Sequence, residues 1–430
     1  MSNKLYWIWL SLAVTAGTET FKKLIGSFSD AEEIFRLDEA ELERVLGKRA
    51  RNIKALANKS LKKAEDILNF CESKNVGIIL YSDKEYPEAL REISTPPVLL
   101  YYRGILPDFN SECFVSVVGT RRLSPYGRRN AFSIAYDLGT CGATVVSGLA
   151  KGIDGVAHAG ALASGAKTIA FLGSGINICY PDEHITLARE IVKSGCILTE
   201  YPPNTKPYKN NFPKRNRLIA AVSCATVIIE GRERSGAGIS ASLAKDFGKK
   251  VYALPGNVDS ANSAASNNCI KDGATLITDA YNVIEDFEFK YPGKLYLSKA
   301  KAKIEADMDK ALSRYKISCV SSADDIFRPS RRAKSNSRIK PEAPNEAPAS
   351  TDNGRAAYDP EAEYRKISEV GITGDAMKLY MKIPYESSCS IDDLVDETFA
   401  ISDVLINLQK LEILGFVTLV SGERVKRKKN

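Results

Sequence analysis

Six consecutive residues, FPKRNR from Phe212 to Arg217, set one aromatic ring, one proline, three cations and an asparagine side by side with no acid among them. Tyr208 and Lys209 lie just upstream. Cations neutralise phosphates, and aromatic faces stack on unpaired bases for roughly 1–3 kcal/mol each. Lys209, Lys214, Arg215 and Arg217 are therefore expected to meet successive phosphates, with Tyr208 and Phe212 against the bases. The alternative for Asn216 and Arg217 is to brace the loop from within.

Other stretches of similar chemistry follow apolar runs. VVGTRRLSPYG offers Arg121 and Arg122 as charges and Ser124 and Tyr126 as donors to phosphate oxygens. A glycine turn that opens a helix also presents free backbone N–H groups to an anion. SGLAKGIDGVAH repeats the arrangement with Lys151. Asp154 within it reads as a helix cap or an orienting group, and His158 as a packed, hydrogen-bonded side chain. IIEGRERSGAGISA adds a turn at Ser235 and Gly236 flanked by Arg232 and Arg234, and NSAASNNCIKDG contributes Asn267. Rings interleaved with cations over several adjacent loops fit a single nucleic acid strand lying in a groove.

Several chemistries are disfavoured. No G-x-x-x-x-G-K-[ST] stretch exists, and LGSGINICYP has only part of a dinucleotide fingerprint, although Glu200 at the next strand end could hold a ribose hydroxyl. Two histidines and nine cysteines without a C-x-x-C pair make a zinc site improbable, so no metal and no cofactor is expected. A rival reading is an enzyme, a nucleotide phosphoribohydrolase-like protein of related Rossmann-like fold. Glycosidic cleavage needs a positioned carboxylate, and no Glu or Asp lies between Ser235 and Lys245, so no catalytic residue is assigned. A nucleotide-sensing regulator whose tail docks a partner is a third possibility.

The elements that must position these loops are strands. FVSVVG, ATVVSG, KTIAFLG, CILTE, ATVIIE, KVYALPG and ATLITD are short apolar runs between Phe114 and Asp279, with helical stretches between them. Runs apolar on both faces and alternating with helices predict an α/β fold: an extended Rossmann-like, mostly parallel sheet with helices on both faces. Such sheets bind ligands at the carboxyl ends of their strands. FPKRNR is expected in one of those strand-to-helix loops. Val98 to Tyr102 reads as a further strand along the sheet edge.

Around this core the period changes. Residues 1–75 repeat apolar positions at helical spacing and predict a small helical domain, SAM-like or helix-hairpin-helix-like, with a structural or protein-contact role. Ser29 or Asp30 is placed to cap one of its helices. Residues 76–290 form the Rossmann-like domain. Residues 291–359 read as a charged helix and a disordered linker rich in Ser, Pro and charge. Residues 360–430 read as a winged-helix-like domain. Its second helix offers Asn407, Gln409 and Lys410 and no arginine after a run of acids, so it reads as a docking or dimerising wing. The closing Arg424, Lys426, Arg427, Lys428 and Lys429 read as a solvated tail.

Composition sets the class. With 430 residues, 44% hydrophobic and 26% charged, the chain is a soluble globular protein of two or three domains. The net charge of +7 is modest, so its local concentration matters more than its size. LYWIWLSLAV is too short to span a bilayer and lacks a cleavage site, and reads as a core helix. Scattered cysteines fit reduced thiols in a cytoplasm.

The motifs also carry a resemblance. GTRRLSPYG, SGLAKGIDGVAHAGAL, YPPNTKP with FPKRNRLIA, SGAGISA, VYALPGNV and the N-x-x-I-x-D-G-A close from Asn267 resemble the DNA-processing protein A family (DprA/Smf), unbroken from about Tyr86 to Phe287. The resemblance implies a cytoplasmic protein, acting as a homodimer, that binds single-stranded DNA without catalysis and hands incoming DNA to the RecA recombinase during natural transformation. It implies DNA contacts at Arg121, Lys209 and Phe212, and no membrane. Ala265 stands where a glycine is usual. Ala237, Gly238 and Ser240 replace the common Ser, Leu and Thr, and His184 follows YPDE where Asn is expected. These departures touch the shape of two loops.

Overall fold

Each of the apolar runs becomes a strand in the computed structural model, which describes residues 3–233, 235–296, 304–317 and 375–384 and short stretches between 389 and 427. The linker of 321–359, Arg234, Gln409 and Lys410 lie outside the described residues. Residues 1–320 form one compact unit and residues 321–430 another.

The first unit opens on α1 (Asn3–Ala13), α2 (Thr20–Ile25), α3 (Ala31–Arg36), α4 (Glu39–Leu46), α5 (Ile53–Ala57) and α6 (Lys62–Ser73). LYWIWLSLAV is indeed a core helix: Leu5, Trp7, Ile8, Trp9 and Leu10 of α1 are all buried. Asp30 caps α3 by accepting from the Ala31 N–H at 2.6 Å. Asp38 and Glu41 exchange bonds as a capping box that starts α4.

β1 (Gly77–Leu80), α7 (Glu88–Glu92) and β2 (Leu99–Gly104) then lead into the sheet proper. There β3 (Phe114–Val118), α8 (Pro125–Thr140), β4 (Thr144–Ser147), α9 (Ile153–Ala163), β5 (Thr168–Phe171), α10 (Ile185–Ser194) and β6 (Cys196–Thr199) alternate. The alternation continues through α11 (Asn211–Val222), β7 (Ala225–Ile228), α12 (Gly236–Asp246), β8 (Lys250–Ala253), α13 (Ala264–Lys271) and β9 (Thr275–Leu276). Then α14 (Tyr281–Glu285) and the charged α15 (Ile304–Arg314) close the unit, α15 packing on α8 and α9.

The nine strands lie in the order β1-β2-β6-β5-β4-β3-β7-β8-β9. β3 to β9 run parallel, and β1 and β2 add an antiparallel edge against β6. β3, β4, β5, β6 and β7 are buried along their whole length, which is why their sequences are apolar runs without alternation. One face is covered by α8, α9, α10 and the N-terminal helices, the other by α7, α11, α12 and α13, each over its own apolar core. Strand order reverses between β3 and β7. Loops leaving their carboxyl ends diverge to opposite faces and leave a crevice there.

In the second unit, α16 (Asp375–Lys382) and a sheet of β10 (Cys389–Ser390), β12 (Arg424–Arg427) and β11 (Val417–Val420), in that order, enclose Leu379, Tyr380, Val417 and Val425. Arg427 is not part of a solvated tail. It is buried, its guanidinium 4.5 Å from the Tyr380 ring centroid and bonded to the Met381 carbonyl at 3.0 Å. Asn407, on the helix that the sequence reads as a docking or dimerising wing, is buried as well.

Candidate nucleic-acid interface

At the reversal point the loops after β3 and β7 meet the start of α11 around a cavity of ≈ 450 Å³. Arg121, Lys209, Phe212, Arg215, Asn216, Ser235 and Gly236 line it together with Asp154 and Ile239. The sequence placed these residues on four separate stretches, and the topology brings them to one rim.

Phe212 forms the floor of this rim. Its ring lies against Gly173, whose added Cβ would sit 3.0 Å from the ring, and tilts against Tyr180 at 5.5 Å between centroids. The Arg121 guanidinium covers the ring at 4.8 Å from its centroid, leaving Phe212 9% exposed. Arg121 is exposed on its outer side and forms no salt bridge with a described residue. Lys209 is likewise exposed, with no ion pair or side-chain hydrogen bond to a described residue.

The opposite wall is the first turn of α12. Its early N–H groups have no carbonyl four residues back, so they face the cavity as donors. The Ser235 Oγ is buried and has no hydrogen-bond partner among the described residues. Nothing lies within 4 Å of a Cβ added at Gly236 or Gly238, so this turn is open on its outer side.

Beneath the rim lie two buried, oppositely charged groups, Asp154 and Arg215. Asp154, in the first turn of α9, accepts from the Gly148 N–H at 3.1 Å. Burial pushes its carboxyl up, and Arg215, the Ala150 N–H and Arg121 act against that. Burial pushes the Arg215 guanidinium down to about 10, with Asp154 opposing, so it remains charged at neutral pH. Asp154 thus orients the β4–α9 loop, as its place in the sequence suggested.

Arg215 and Arg217 are not phosphate ligands on a loop. FPKRNR is helical, lying within α11, because Pro213 occupies the first turn, where its missing N–H costs no bond. Arg215 is 2% exposed and donates to the carbonyls of Gly148 (2.7 Å) and Phe171, stapling the ends of β4 and β5. Arg217 is 5% exposed. It grips Glu200 through two bonds of 2.7 and 2.8 Å and donates to the Thr95 carbonyl and hydroxyl, both at 3.0 Å. The carboxylate read as a ribose holder is therefore the partner of this arginine.

Other residues of the expected site are spent elsewhere. Lys214 donates to the Ala16 carbonyl at 3.2 Å and so docks the N-terminal helices. Ser124 caps α8 by accepting from Gly127 N–H at 3.0 Å, while its N–H and hydroxyl donate to Glu230 at 2.8 and 2.7 Å. Tyr126 donates to the Pro255 carbonyl at 2.5 Å. Lys151 pairs with Glu183 at 3.0 Å on the surface. Asn267 exchanges two bonds with the backbone of Gly256, at 3.0 and 3.1 Å, and fixes the turn after β8. Arg122 is exposed beside the rim, its carbonyl accepting from Asn262.

Two features escaped sequence reasoning. Glu230 lies just beyond β7 as Glu200 lies just beyond β6, and its role as the anchor of the α8 N-terminus had only that positional signal. The two histidines form a clasp around one residue. Leu149 is held at φ +54, a left-handed conformation that side chains other than glycine rarely adopt. Its N–H donates to His158 Nε2 at 3.3 Å, and its carbonyl bonds His184 Nδ1 at 3.0 Å. The Thr168 hydroxyl donates to Val145 and so accepts from His158 Nδ1 (2.7 Å), which makes His158 a neutral imidazole. Burial, with His184 and Arg215 nearby, pushes His158 down to about 3.

Among the described residues no three His, Cys, Asp or Glu side chains are grouped to hold a metal, and no helix is long and apolar enough to cross a membrane.

Comparison with known proteins places this geometry. The sequence profile described as DNA recombination-mediator protein A matches residues 77–288. Protein Smf of Synechocystis sp. is 35% identical over 280 residues, covering 64% of this chain and 70% of the relative. The DNA processing protein DprA of Streptococcus pneumoniae is 39% identical over 207 residues, covering 48% and 73%. The X-ray structure of DNA processing protein A from Streptococcus pneumoniae superposes with a TM-score of 0.58 at 30% identity, covering 67% of this chain and 99% of that one.

Proposed function

The chain belongs to the DNA recombination-mediator protein A (DprA/Smf) family, and from that premise we propose that it binds single-stranded DNA in the crevice between β3 and β7 and delivers it to the RecA recombinase. The observation that carries this reading is the Arg121 guanidinium lying on the Phe212 ring beside an unpaired Lys209 and the open first turn of α12. A base stacks on the guanidinium tier with Phe212 below it. Phosphates on either side meet Lys209, Arg122, the Ser235 hydroxyl and the N–H groups at Gly236 and Ala237. Each stacked base contributes roughly 1–3 kcal/mol. The site takes strands in preference to duplex, because a paired base has no free face to offer.

Binding without bond-breaking suits a mediator. The one acid lining the cavity, Asp154, is buried and accepts from the Gly148 N–H, and Glu230 accepts from Ser124. Both carboxylates, in this reading, serve the fold rather than proton transfer. In this reading the protein acts as a homodimer in the cytoplasm, during natural transformation, and holds incoming DNA until RecA polymerises on it.

Fluorescence anisotropy with labelled single- and double-stranded oligonucleotides at two salt concentrations tests the reading. Single strands bind more tightly, and log K falls with log salt by about 0.7 per phosphate neutralised. Alanine at Arg121 or Lys209 weakens binding, and Phe212→Leu, which keeps a large apolar side chain against Gly173 but no ring, weakens it less. Equal affinity for duplex, or unchanged affinity in all three variants, removes the proposed groove. The mediator step is read separately, as a shorter lag in RecA filament growth on strands held by the protein.

A further inference from the structure

The N-terminal helices carry a second concentration of charge that the groove does not use. Between Lys48 and Lys63 there are seven cations and no acid, as many charges as the net +7 of the whole chain. Lys59 turns inward, over the rings of Trp9 and Phe35 at 5.2 and 5.4 Å. The other six, Lys48, Arg49, Arg51, Lys54, Lys62 and Lys63, are exposed, and none makes an ion pair or a side-chain hydrogen bond with a described residue. Four of them sit on the hairpin between α4 and α5, where the Ala50 N–H closes a tight turn on the Gly47 carbonyl at 3.0 Å and Gly47 adopts φ +85.

This hairpin is fixed to the groove by hydrogen bonds. Asn52, buried at the hairpin's end, donates to the Ala13 carbonyl at 2.8 Å. Ala13 ends α1, and three residues on, the Ala16 carbonyl accepts from Lys214 of α11, the helix whose first turn carries Phe212. The loop of residues 13–18 therefore has the cationic hairpin bonded to one end and the groove helix near the other. Large apolar residues of the stretch are turned inward: Ile53 and Leu56 are buried and Leu61 is half-buried. A membrane-binding surface would expose them. What is presented is charge alone, which matches a phosphate backbone read without regard to sequence.

We infer that the α4–α5 hairpin is a second backbone-binding surface, which takes the continuation of a nucleic acid strand leaving the groove past α11. This rests on the single-strand reading of the groove. It departs from the structural or protein-contact role that the helical domain's sequence suggests. Groove and hairpin then act as two linked sites, so a strand long enough to reach both gains affinity that a short one lacks.

The test compares oligothymidylates of about 6 and about 30 nucleotides, lengths chosen around a single-module footprint of about 4–16 nucleotides. The full chain is compared with its K48Q/R49Q/R51Q/K54Q variant and with Arg121→Ala. The expected result is that the quadruple variant keeps its affinity for the short strand, loses about tenfold or more on the long one, and shows a salt slope on the long strand reduced by roughly 2 to 3, at about 0.7 per cation removed. Wild-type affinity and slope on the long strand would overturn the inference while leaving the groove intact. So would equal losses on both lengths. If Arg121→Ala binds both lengths like wild type, the groove reading falls and the inference falls with it. Because all four side chains are exposed and unpaired, a melting temperature equal to wild type confirms that the variant is folded.

Discussion

Arg121 and Arg217 have the same side chain and lie near the same crevice, yet the structure gives them opposite work, and exchanging each for alanine separates the two. Arg217→Ala leaves the Glu200 carboxylate, whose side chain is 4% exposed, without the two bonds at 2.7 and 2.8 Å that compensate its burial. Removing one partner of a buried pair costs about 3–5 kcal/mol, mostly the penalty of the charge left behind. At about 2–4 °C per kcal/mol in domains of 150–250 residues, the melting temperature falls by roughly 6–20 °C. Replacing both partners together, Arg217→Met with Glu200→Leu, recovers most of the loss, because no charge is then stranded. Arg121→Ala removes an exposed cation stacked on Phe212, worth about 0.5–1 kcal/mol at the surface, and so changes the melting temperature little. It removes a stacking tier and a phosphate contact, however, and at roughly 1–3 kcal/mol the affinity for a single strand falls about 5- to 150-fold. Thermal melts followed by circular dichroism, and anisotropy at a temperature where every variant is folded, read the two effects independently. Should Arg217→Ala melt with wild type and fail to bind, its guanidinium faces the ligand and the assignment of the two roles is wrong.

Further outcomes follow from the same geometry. Ser235→Ala removes a hydroxyl with no internal partner, so stability is unchanged while strand affinity drops by the worth of a hydrogen bond to a charged group, about 1.5–3 kcal/mol; a melting-point loss instead would mean the hydroxyl serves the fold. A Cβ at position 148 would stand 2.3 Å from Arg215 Nη2, so Gly148→Ala displaces that guanidinium and lowers both stability and affinity, as melts and anisotropy will report. The histidine clasp makes stability depend on pH. His158 is pushed down to about 3 in the folded chain from an ordinary value of 6.5, so the unfolded state binds the proton first and stability falls as pH drops through that window. Between pH 7.5 and 5 this amounts to about 2 kcal/mol. Urea unfolding of His158→Gln at the two pH values should show a dependence smaller by that amount, and an unaltered dependence would place the acid sensitivity elsewhere.

The sheet was legible because burial on both faces leaves no room for alternation: ATVVSG or ATVIIE reads as a strand of a covered parallel sheet whatever its neighbours are. The edge was less legible. GIIL, which becomes β1, is only partly buried and pairs antiparallel with β2, so its four residues carry neither a long apolar run nor a clear period. That Arg121, Lys209, Phe212, Ser235 and Gly236 would gather at one edge of the sheet was legible for a similar reason. Arg121 follows β3 and Ser235 and Gly236 follow β7 beside it, while Lys209 and Phe212 reach the same rim through the long loop after β6, three strands from β3.

The part of the site that was not legible is the division of labour among the cations, and the cause lies in α11. Read as a loop, FPKRNR offers every charge to solvent. Once Pro213 takes a first-turn position the segment coils at 3.6 residues per turn, and side chains two apart point in different directions. Residues 215 and 217 then face strand ends whose carbonyls, beyond the last ladder bond, need donors that only a long cation can supply: Gly148 and Phe171 for one, and the Glu200 carboxylate for the other. Lys214 is drawn to Ala16 in the same way. What stays exposed is Lys209, two residues before the helix, and Arg121, which reaches in from another strand end. A basic run in an α/β sheet thus divides by helical phase: cations facing the sheet build the rim, and those outside the helix or across the crevice stay exposed. Charge density along the sequence shows where the cations gather, and only the phase of α11 shows which of them remain exposed at the crevice.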